Sequence, residues 1–233
     1  MQLNSPELDA WRTRLAALAM ECAAGDLDGA HDANHLDRVW RNACALLADH
    51  PDADVLVVLA ACYLHDLVNL PKNDPARSSA SRLSAGLARE RLAGLGFPAA
   101  KLDAVAHAIE AHSFSAAIAP RTLEARIVQD ADRLDGLGAV GLARMFYIAG
   151  RMGSSLAHGG DPLATARPLD DKAYSLDHIP VKLALLPGMM QTAAGRRLGE
   201  QRLAMLMDFR GAFAAEWSGM EATAINRQAT VLT

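Results

Sequence analysis

The 233-residue chain has few cysteines and no long apolar run. Its three cysteines, Cys22, Cys44 and Cys62, are an odd number and form no Cys-x-x-Cys pair. We therefore predict reduced core residues, as in a cytoplasmic protein, and no disulfide framework. The longest apolar run, Val55 to Leu64, falls well short of the roughly 20 residues that span a bilayer. Charged residues interrupt the first helical turns, so we expect neither a transmembrane helix nor a signal peptide.

An excess of positive charge is also absent. Lys and Arg number 23 against 27 Asp and Glu, and the net charge is −4. This balance argues against general attraction to a nucleic acid polymer or an anionic membrane, and it leaves open a small ligand bound by a local basic cluster. The hydrophobic fraction of 51% is sufficient for a sizeable core. The length favours one domain over residues 1–233, with its core at about 25–215.

Apolar residues recur at helical intervals, and no segment shows the two-residue alternation of a half-buried strand. The sequence therefore predicts an all-α, single-domain helical bundle. The segment at about 55–67 is apolar on every side, as expected of a central helix wrapped by others. The C-terminal helix, at about 188–217, is expected to pack on the core, and the last dozen residues are expected to fray. Further helices are expected from Pro98 to His112 and from about Leu123 to beyond Leu137.

The strongest anomaly is charge inside apolar surroundings. His65 and Asp66 directly follow the ten-residue apolar run. An ionised carboxylate buried without a partner costs several kcal/mol at least, so Asp66 needs a cation or several donors. A metal ion would satisfy this need if ligands from separate helices converged on it. His35 and an aspartate near position 132 are imidazole and carboxylate groups on two other predicted helices.

At these positions the sequence resembles the HD-domain superfamily of metal-dependent phosphohydrolases, whose pattern is a histidine, a His-Asp pair and a distant aspartate. The matching stretches are HDANHLDRV, AACYLHD and VQDADRLDGLGAVGLAR. Two further stretches, NLPKNDPARSSASRLSA and HAIEAHSFS, resemble a bacterial subgroup of small, stand-alone HD hydrolases. The resemblance covers roughly residues 25 to 215. It is specific for the fold and the site, but not for the substrate.

The resemblance implies one divalent transition metal ion held by four side chains. Mixed imidazole and carboxylate ligands suit Mn, Co, Ni, Fe or Zn better than Mg. Periodicity alone does not choose between Asp130 and Asp132, which lie on opposite flanks of their helix, and the resemblance selects Asp132. The implied ligands are His35, His65, Asp66 and Asp132.

Three other residues are expected to support these ligands. Asp130 would then hold a ligand in place or be structural. His31 and Asp32 precede the helix of His35, and Asp32 could equally cap that helix or orient a ligand imidazole. Arg38 could pair with a carboxylate or face the substrate phosphate.

Substrate phosphate would meet the residues that border the metal ligands. His112 continues the apolar stripe of its helix and is a candidate for contacting substrate or joining a second metal, whereas His107 is rotated by about 140°. Residues 72–91 hold five cationic and two anionic side chains in a chain that is acidic overall. Within this segment Lys72 and Arg77 are suited to bind phosphate oxygens.

These expectations define a metal-dependent phosphohydrolase of the nucleotidase or pyrophosphatase type, which acts on a small phosphorylated metabolite, first of all a nucleotide. The expected reaction is attack of metal-bound hydroxide on a phosphomonoester or pyrophosphate bond. One alternative is a nucleotide-binding regulatory module that keeps the metal but has no turnover. Another is a di-iron oxygenase on the same scaffold, which would need two additional histidine ligands.

Overall fold

The structure is a computed structural model that describes residues 3, 5–22, 33–68, 70 and 76–219. Within those residues the chain forms nine α-helices and no strand, which confirms the predicted all-α class. None of the described helices combines the length and the apolar content needed to cross a membrane. The helices are α1 Pro6–Cys22, α2 Ala33–Leu47, α3 Val55–Leu64, α4 Ala80–Gly94, α5 Leu102–His112, α6 Leu123–Asp135, α7 Gly138–Arg151, α8 His178–Val181 and α9 Ala193–Trp217.

The contacts along the chain define two compact units. The first comprises Met1–Asp135 and Met190–Gly195, and the second comprises Gly136–Met189 and Arg196–Thr233. Helix α9 therefore begins in the first unit and continues in the second. The assignment of residues 1–233 to one HD domain stays a prediction.

Helix α3 is the centre of the first unit. Nine of its ten residues are buried, and it packs against α1, α2, α4, α5 and α6. Its N-terminus is capped by the Asp54 carboxylate, which accepts the backbone N–H groups of Leu56 and Val57. The helix ends at Leu64, three residues before the predicted end, and the Cys62 carbonyl accepts a hydrogen bond from the His65 ring. The His-Asp pair therefore lies in the turn that leaves α3.

Helix α9 begins at Ala193, five residues later than predicted. Pro187–Met189 forms a 3₁₀ turn, and the Thr192 hydroxyl then accepts the backbone N–H of Gly195 at 2.9 Å. This hydroxyl occupies the position of a helix N-cap. Helix α9 therefore begins directly after this polar turn.

In the second unit, a long segment without α-helix lies between α7 and α8. The buried Asp177 carboxylate accepts two hydrogen bonds from the Arg167 guanidinium, at 2.6 and 2.9 Å. Burial alone would raise the pKa of Asp177, but Arg167 and the backbone N–H of Asp170 hold it below its ordinary value. Aromatic rings of α7 and α9 pack together elsewhere in this unit, namely Phe146, Phe209, Phe213 and Trp217.

Asp130 is a buried anchor on α6. Its carboxylate accepts the backbone N–H groups of Gln191 and Thr192 and the Thr192 hydroxyl, each at 2.8 Å. A Cβ atom at Gly195 would overlap this carboxylate, so only glycine fits there. The observed contacts thus agree with the structural alternative for Asp130, which ties α6 to the turn before α9.

We predict that Asp130→Ala lowers the free energy of unfolding by about 1–3 kcal/mol, because it leaves buried donors without an acceptor. Urea denaturation measures this effect, with Asp103→Ala as a control whose wild-type side chain is 80% exposed. The control should change stability little. Equal stability losses in both variants would contradict the anchoring role.

Candidate metal centre

The side chains of the four predicted metal ligands lie together in the first unit. His35 comes from α2, His65 and Asp66 from the turn after α3, and Asp132 from α6. The Nε2 atoms of His35 and His65 are 3.3 Å apart, and Asp132 Oδ1 lies 3.6 Å from the first and 3.8 Å from the second. Asp66 Oδ2 lies 3.4 Å from His65 Nε2 and 3.8 Å from His35 Nε2. Ligand atoms of both chemical types therefore converge from three helices.

His112 extends this cluster from the end of α5. Its Nε2 atom lies 3.5 Å from Asp66 Oδ1, whereas the other oxygen of Asp66 faces His35 and His65. The side chains form two overlapping groups that could hold a metal ion, one of His35, His65 and Asp132 and the other of His65, Asp66 and His112. The predicted core-facing position of His112 thus brings it to the same site.

Each of the three imidazoles is oriented by an acceptor at its Nδ1 atom. His35 Nδ1 lies 2.8 Å from Asp135 Oδ2, His65 Nδ1 lies 2.9 Å from the Cys62 carbonyl, and His112 Nδ1 lies 2.6 Å from the Ile109 carbonyl. Because all three neighbours accept hydrogen bonds, we assign the proton of each neutral ring to Nδ1. The Nε2 atoms of the three rings then face the carboxylates.

This donor set fits a divalent transition metal. Two imidazole lone pairs that face each other at 3.3 Å repel unless a proton or a cation lies between them. Imidazole nitrogens and carboxylate oxygens are ordinary ligands of Zn²⁺, Mn²⁺ and Fe²⁺. Each ring also has a hydrogen bond at Nδ1, which is the contact that fixes the orientation of a ligand histidine. A metal ion bound by this cluster would also balance the charge of the carboxylates. These carboxylates lie at the end of an apolar helix, where unpaired charge is costly.

The pKa values of the two central histidines move in opposite directions. Burial disfavours the charged form of His65, but the carboxylates of Asp66 and Asp132 outweigh it and raise the pKa of His65 to about 9. Burial lowers the pKa of His35, although Asp135 opposes the change. Without metal, His65 is therefore protonated on both ring nitrogens at pH 7, and His35 is neutral.

Asp135 is the residue that sequence reasoning missed. Asp135 is 2% exposed and accepts hydrogen bonds from Arg38 at 2.7 and 3.1 Å as well as from His35. Of the two roles open to Arg38, the structure shows pairing with a carboxylate. The available signal was spacing, because residues three apart on a helix share a face, and Asp135 follows Asp132 by three.

The remaining predicted residues have other contacts in the structure or lie outside the described residues. Asp130 contacts the turn before α9. Arg77 donates to the Leu70 carbonyl and is half-buried. His107 Nε2 accepts the backbone N–H of Arg121 at 3.0 Å. The predicted residues that the structure does not describe are His31, Asp32 and Lys72.

Comparison with known proteins shows a match to the HD domain family over residues 32–137. The chain is 34% identical over 188 residues to YpgQ of Bacillus subtilis, a match that covers 79% of this chain and 83% of YpgQ. The matched range of the family includes all four predicted metal ligands.

Two solved structures have the same fold over most of their length. The structure of Bacillus subtilis YpgQ in complex with ADP matches with a TM-score of 0.69 and 28% identity, and covers 90% of this chain and 96% of YpgQ. An HD-superfamily hydrolase from Bacillus thuringiensis matches with a TM-score of 0.71 and 26% identity, and covers 91% of this chain and 100% of the hydrolase.

We predict that metal binding releases protons below about pH 9, because the His65 proton must leave before its Nε2 atom can coordinate. The apparent affinity for Co²⁺ or Mn²⁺ should then rise with pH up to that value. Isothermal titration calorimetry in two buffers that differ in ionisation enthalpy counts the released protons. Identical binding enthalpies in the two buffers at pH 7 would contradict the assignment.

Proposed function

Because the chain belongs to the HD-domain superfamily, we propose that it is a metal-dependent phosphohydrolase that acts on a small phosphorylated metabolite, first of all a nucleotide. HD domains bind divalent metals, and solved relatives of this chain include an HD-superfamily hydrolase. The observation that carries the proposal is the convergence of three oriented imidazoles and two carboxylates.

We assign the metal to His35, His65, Asp66 and Asp132. A divalent transition metal at this position would lower the pKa of a water molecule and withdraw charge from a phosphoryl oxygen. These four residues supply two neutral and two anionic ligands, so the bound cation and its ligands carry no net charge. This balance reduces the cost of keeping the two carboxylates among apolar helices.

His112 is assigned to contact the reacting phosphoryl group. Its Nε2 atom lies 3.5 Å from Asp66 Oδ1, at the border of the proposed ligands, and its ring is held by the Ile109 carbonyl. Because the ring is only 8% exposed, it would meet a substrate group that enters the site and little bulk water. This placement favours a role in orienting the phosphoryl oxygens.

Arg77, with Lys72, is assigned to bind phosphate oxygens away from the metal. The guanidinium carries five donors, and one of them bonds to the Leu70 carbonyl. The segment around Arg77 is cationic in an acidic chain. An anionic part of the substrate, such as the remaining phosphates of a nucleotide, would match this charge.

The ADP complex of YpgQ supports a nucleotide as the ligand class. ADP binding by a relative is also compatible with a regulatory module that binds a nucleotide without turnover. Measurement of released phosphate and pyrophosphate distinguishes the two functions, because only the hydrolase releases either product. The nucleotide identity and the cleaved bond follow from the products formed from a triphosphate, a diphosphate and a monophosphate.

The first test is metal dependence. Protein stripped with a chelator and reloaded with Mn²⁺, Co²⁺ or Zn²⁺ should hydrolyse at least one nucleotide, and the stripped protein should not. His65→Ala and Asp66→Ala should lose the bound metal and reduce kcat/KM by at least about a hundredfold, since the metal supplies several kcal/mol to the transition state. His107→Ala is the matched control, because His107 bonds to Arg121, outside the ligand cluster. Equal metal content in all four proteins would contradict the ligand assignment.

A separate test concerns phosphate binding. Arg77→Ala should lower kcat/KM for a nucleoside triphosphate by about tenfold to a hundredfold, since a charge-assisted hydrogen bond is worth about 1.5–3 kcal/mol. Metal content should not change. Lys72→Ala should behave in the same way, and Arg82→Ala, an exposed arginine on α4, is the control. Unchanged kcat/KM for both a triphosphate and a monophosphate would remove the proposed phosphate-binding role.

A further inference from the structure

Hydrogen bonds join α2 to α6 along one line of residues, which we call the α2–α6 seam. The seam consists of His35, Arg38, Asn42, Ala131 and Asp135. Near one end, the Asp135 carboxylate accepts hydrogen bonds from His35 and from two nitrogens of Arg38. One turn further along α2, the Asn42 amide donates to the Ala131 carbonyl at 3.0 Å. Residue numbers rise along α2 as they fall along α6, so the helices run antiparallel.

The Nδ1 partner of His35 lies on another helix, unlike the Nδ1 partners of the other two imidazoles. His65 and His112 donate to carbonyls three residues earlier in their own segments. His35 instead donates to a carboxylate on a different helix, 100 residues later in the chain. Its ring orientation therefore depends on the Asp135 carboxylate, whereas the other two rings are fixed locally.

The same helix face carries a proposed metal ligand. Asp132 precedes Asp135 by three residues, and its Oδ1 atom lies 3.6 Å from His35 Nε2. One face of α6 thus offers a carboxylate to each side of the His35 ring, Asp135 to Nδ1 and Asp132 towards Nε2. A shift of Asp135 would move His35 relative to Asp132.

We propose that Asp135 and Arg38 are positioning residues for His35. The Asp135 carboxylate fixes the proton on Nδ1 of His35, and Arg38 holds both oxygens of this carboxylate. The inference rests on the proposed function, because it requires a metal at His35 Nε2. A carboxylate partner makes a ligand imidazole a stronger donor than a neutral carbonyl does. Arg38 is suited to the clamp because its planar fork matches two carboxylate oxygens, a geometry that lysine cannot reproduce.

The charges also balance within the seam. Asp135 is 2% exposed, and the 26% exposed Arg38 side chain neutralises it from the more accessible side. The guanidinium thus balances the carboxylate charge beside a centre that already contains Asp66 and Asp132. Arg38 therefore acts on the metal ligand through Asp135.

The test compares four variants of the full chain with the wild type, namely Asp135→Asn, Arg38→Ala, Arg38→Lys and Asn42→Ala. Isothermal titration calorimetry of the stripped proteins gives the Kd for Co²⁺. Proton–nitrogen NMR of metal-free protein with ¹⁵N-labelled histidine reports which ring nitrogen of His35 carries the proton. Melting temperatures of the stripped proteins report general stability.

Asp135→Asn should weaken Co²⁺ binding by roughly tenfold to a hundredfold and shift the Nδ1 proton signal of His35. Arg38→Ala should also weaken binding, and Arg38→Lys should restore part of the loss, because the charge is kept and the fork is not. Asn42→Ala is the matched control, since it removes a seam hydrogen bond that does not involve His35. It should lower the melting temperature and leave the Kd and the His35 signal unchanged.

The outcomes separate this inference from the proposed function. If the wild type binds no divalent metal, the proposed function fails and the inference fails with it. If the wild type binds Co²⁺ and Asp135→Asn binds it equally well, only the inference is overturned. It is also overturned if Asn42→Ala weakens binding as much as Asp135→Asn, because the seam would then act through stability alone. Should Asp135→Asn fail to fold, an unchanged Kd in Arg38→Ala decides against the inference.

Discussion

The cost of placing carboxylates and imidazoles at the end of an apolar helix is the constraint on which this structure depends. Helix α3 is buried over nearly its whole length, so the His-Asp pair that follows it emerges among other helices. Charge in such surroundings is stable only when opposite charge or hydrogen-bond donors lie close by. The convergence of α2, α5 and α6 on this pair answers that requirement, and it also creates a site for a cation.

Helix α6 serves two purposes because its aspartates point in different directions. Asp132 faces the histidines, and Asp135 lies on the same face and orients His35. Asp130, two residues before Asp132, is rotated by about 160° and holds the turn before α9. Helix α6 therefore contributes acidic side chains both to the candidate metal centre and to the contact with the turn before α9, with different residues for the two roles.

Family membership and the geometry of the site give complementary information about this protein. Similarity to YpgQ and to an HD-superfamily hydrolase establishes the family and the fold. We propose that substrate recognition depends on His112, which borders the cluster, and on Arg77 in the cationic segment.

The sequence by itself determined the all-α class and the apolar central helix, since these follow from periodicity and from the ten-residue apolar run, and the family resemblance selected the predicted ligands. It also placed His112 correctly on the inward face of its helix. Tertiary structure decided the roles of Asp130, Asp135 and Arg38, because each depends on a partner 60 to 100 residues away. Helical spacing defines which residues share a face, but the packing of α2 against α6 and of α6 against the turn before α9 decides what each face meets.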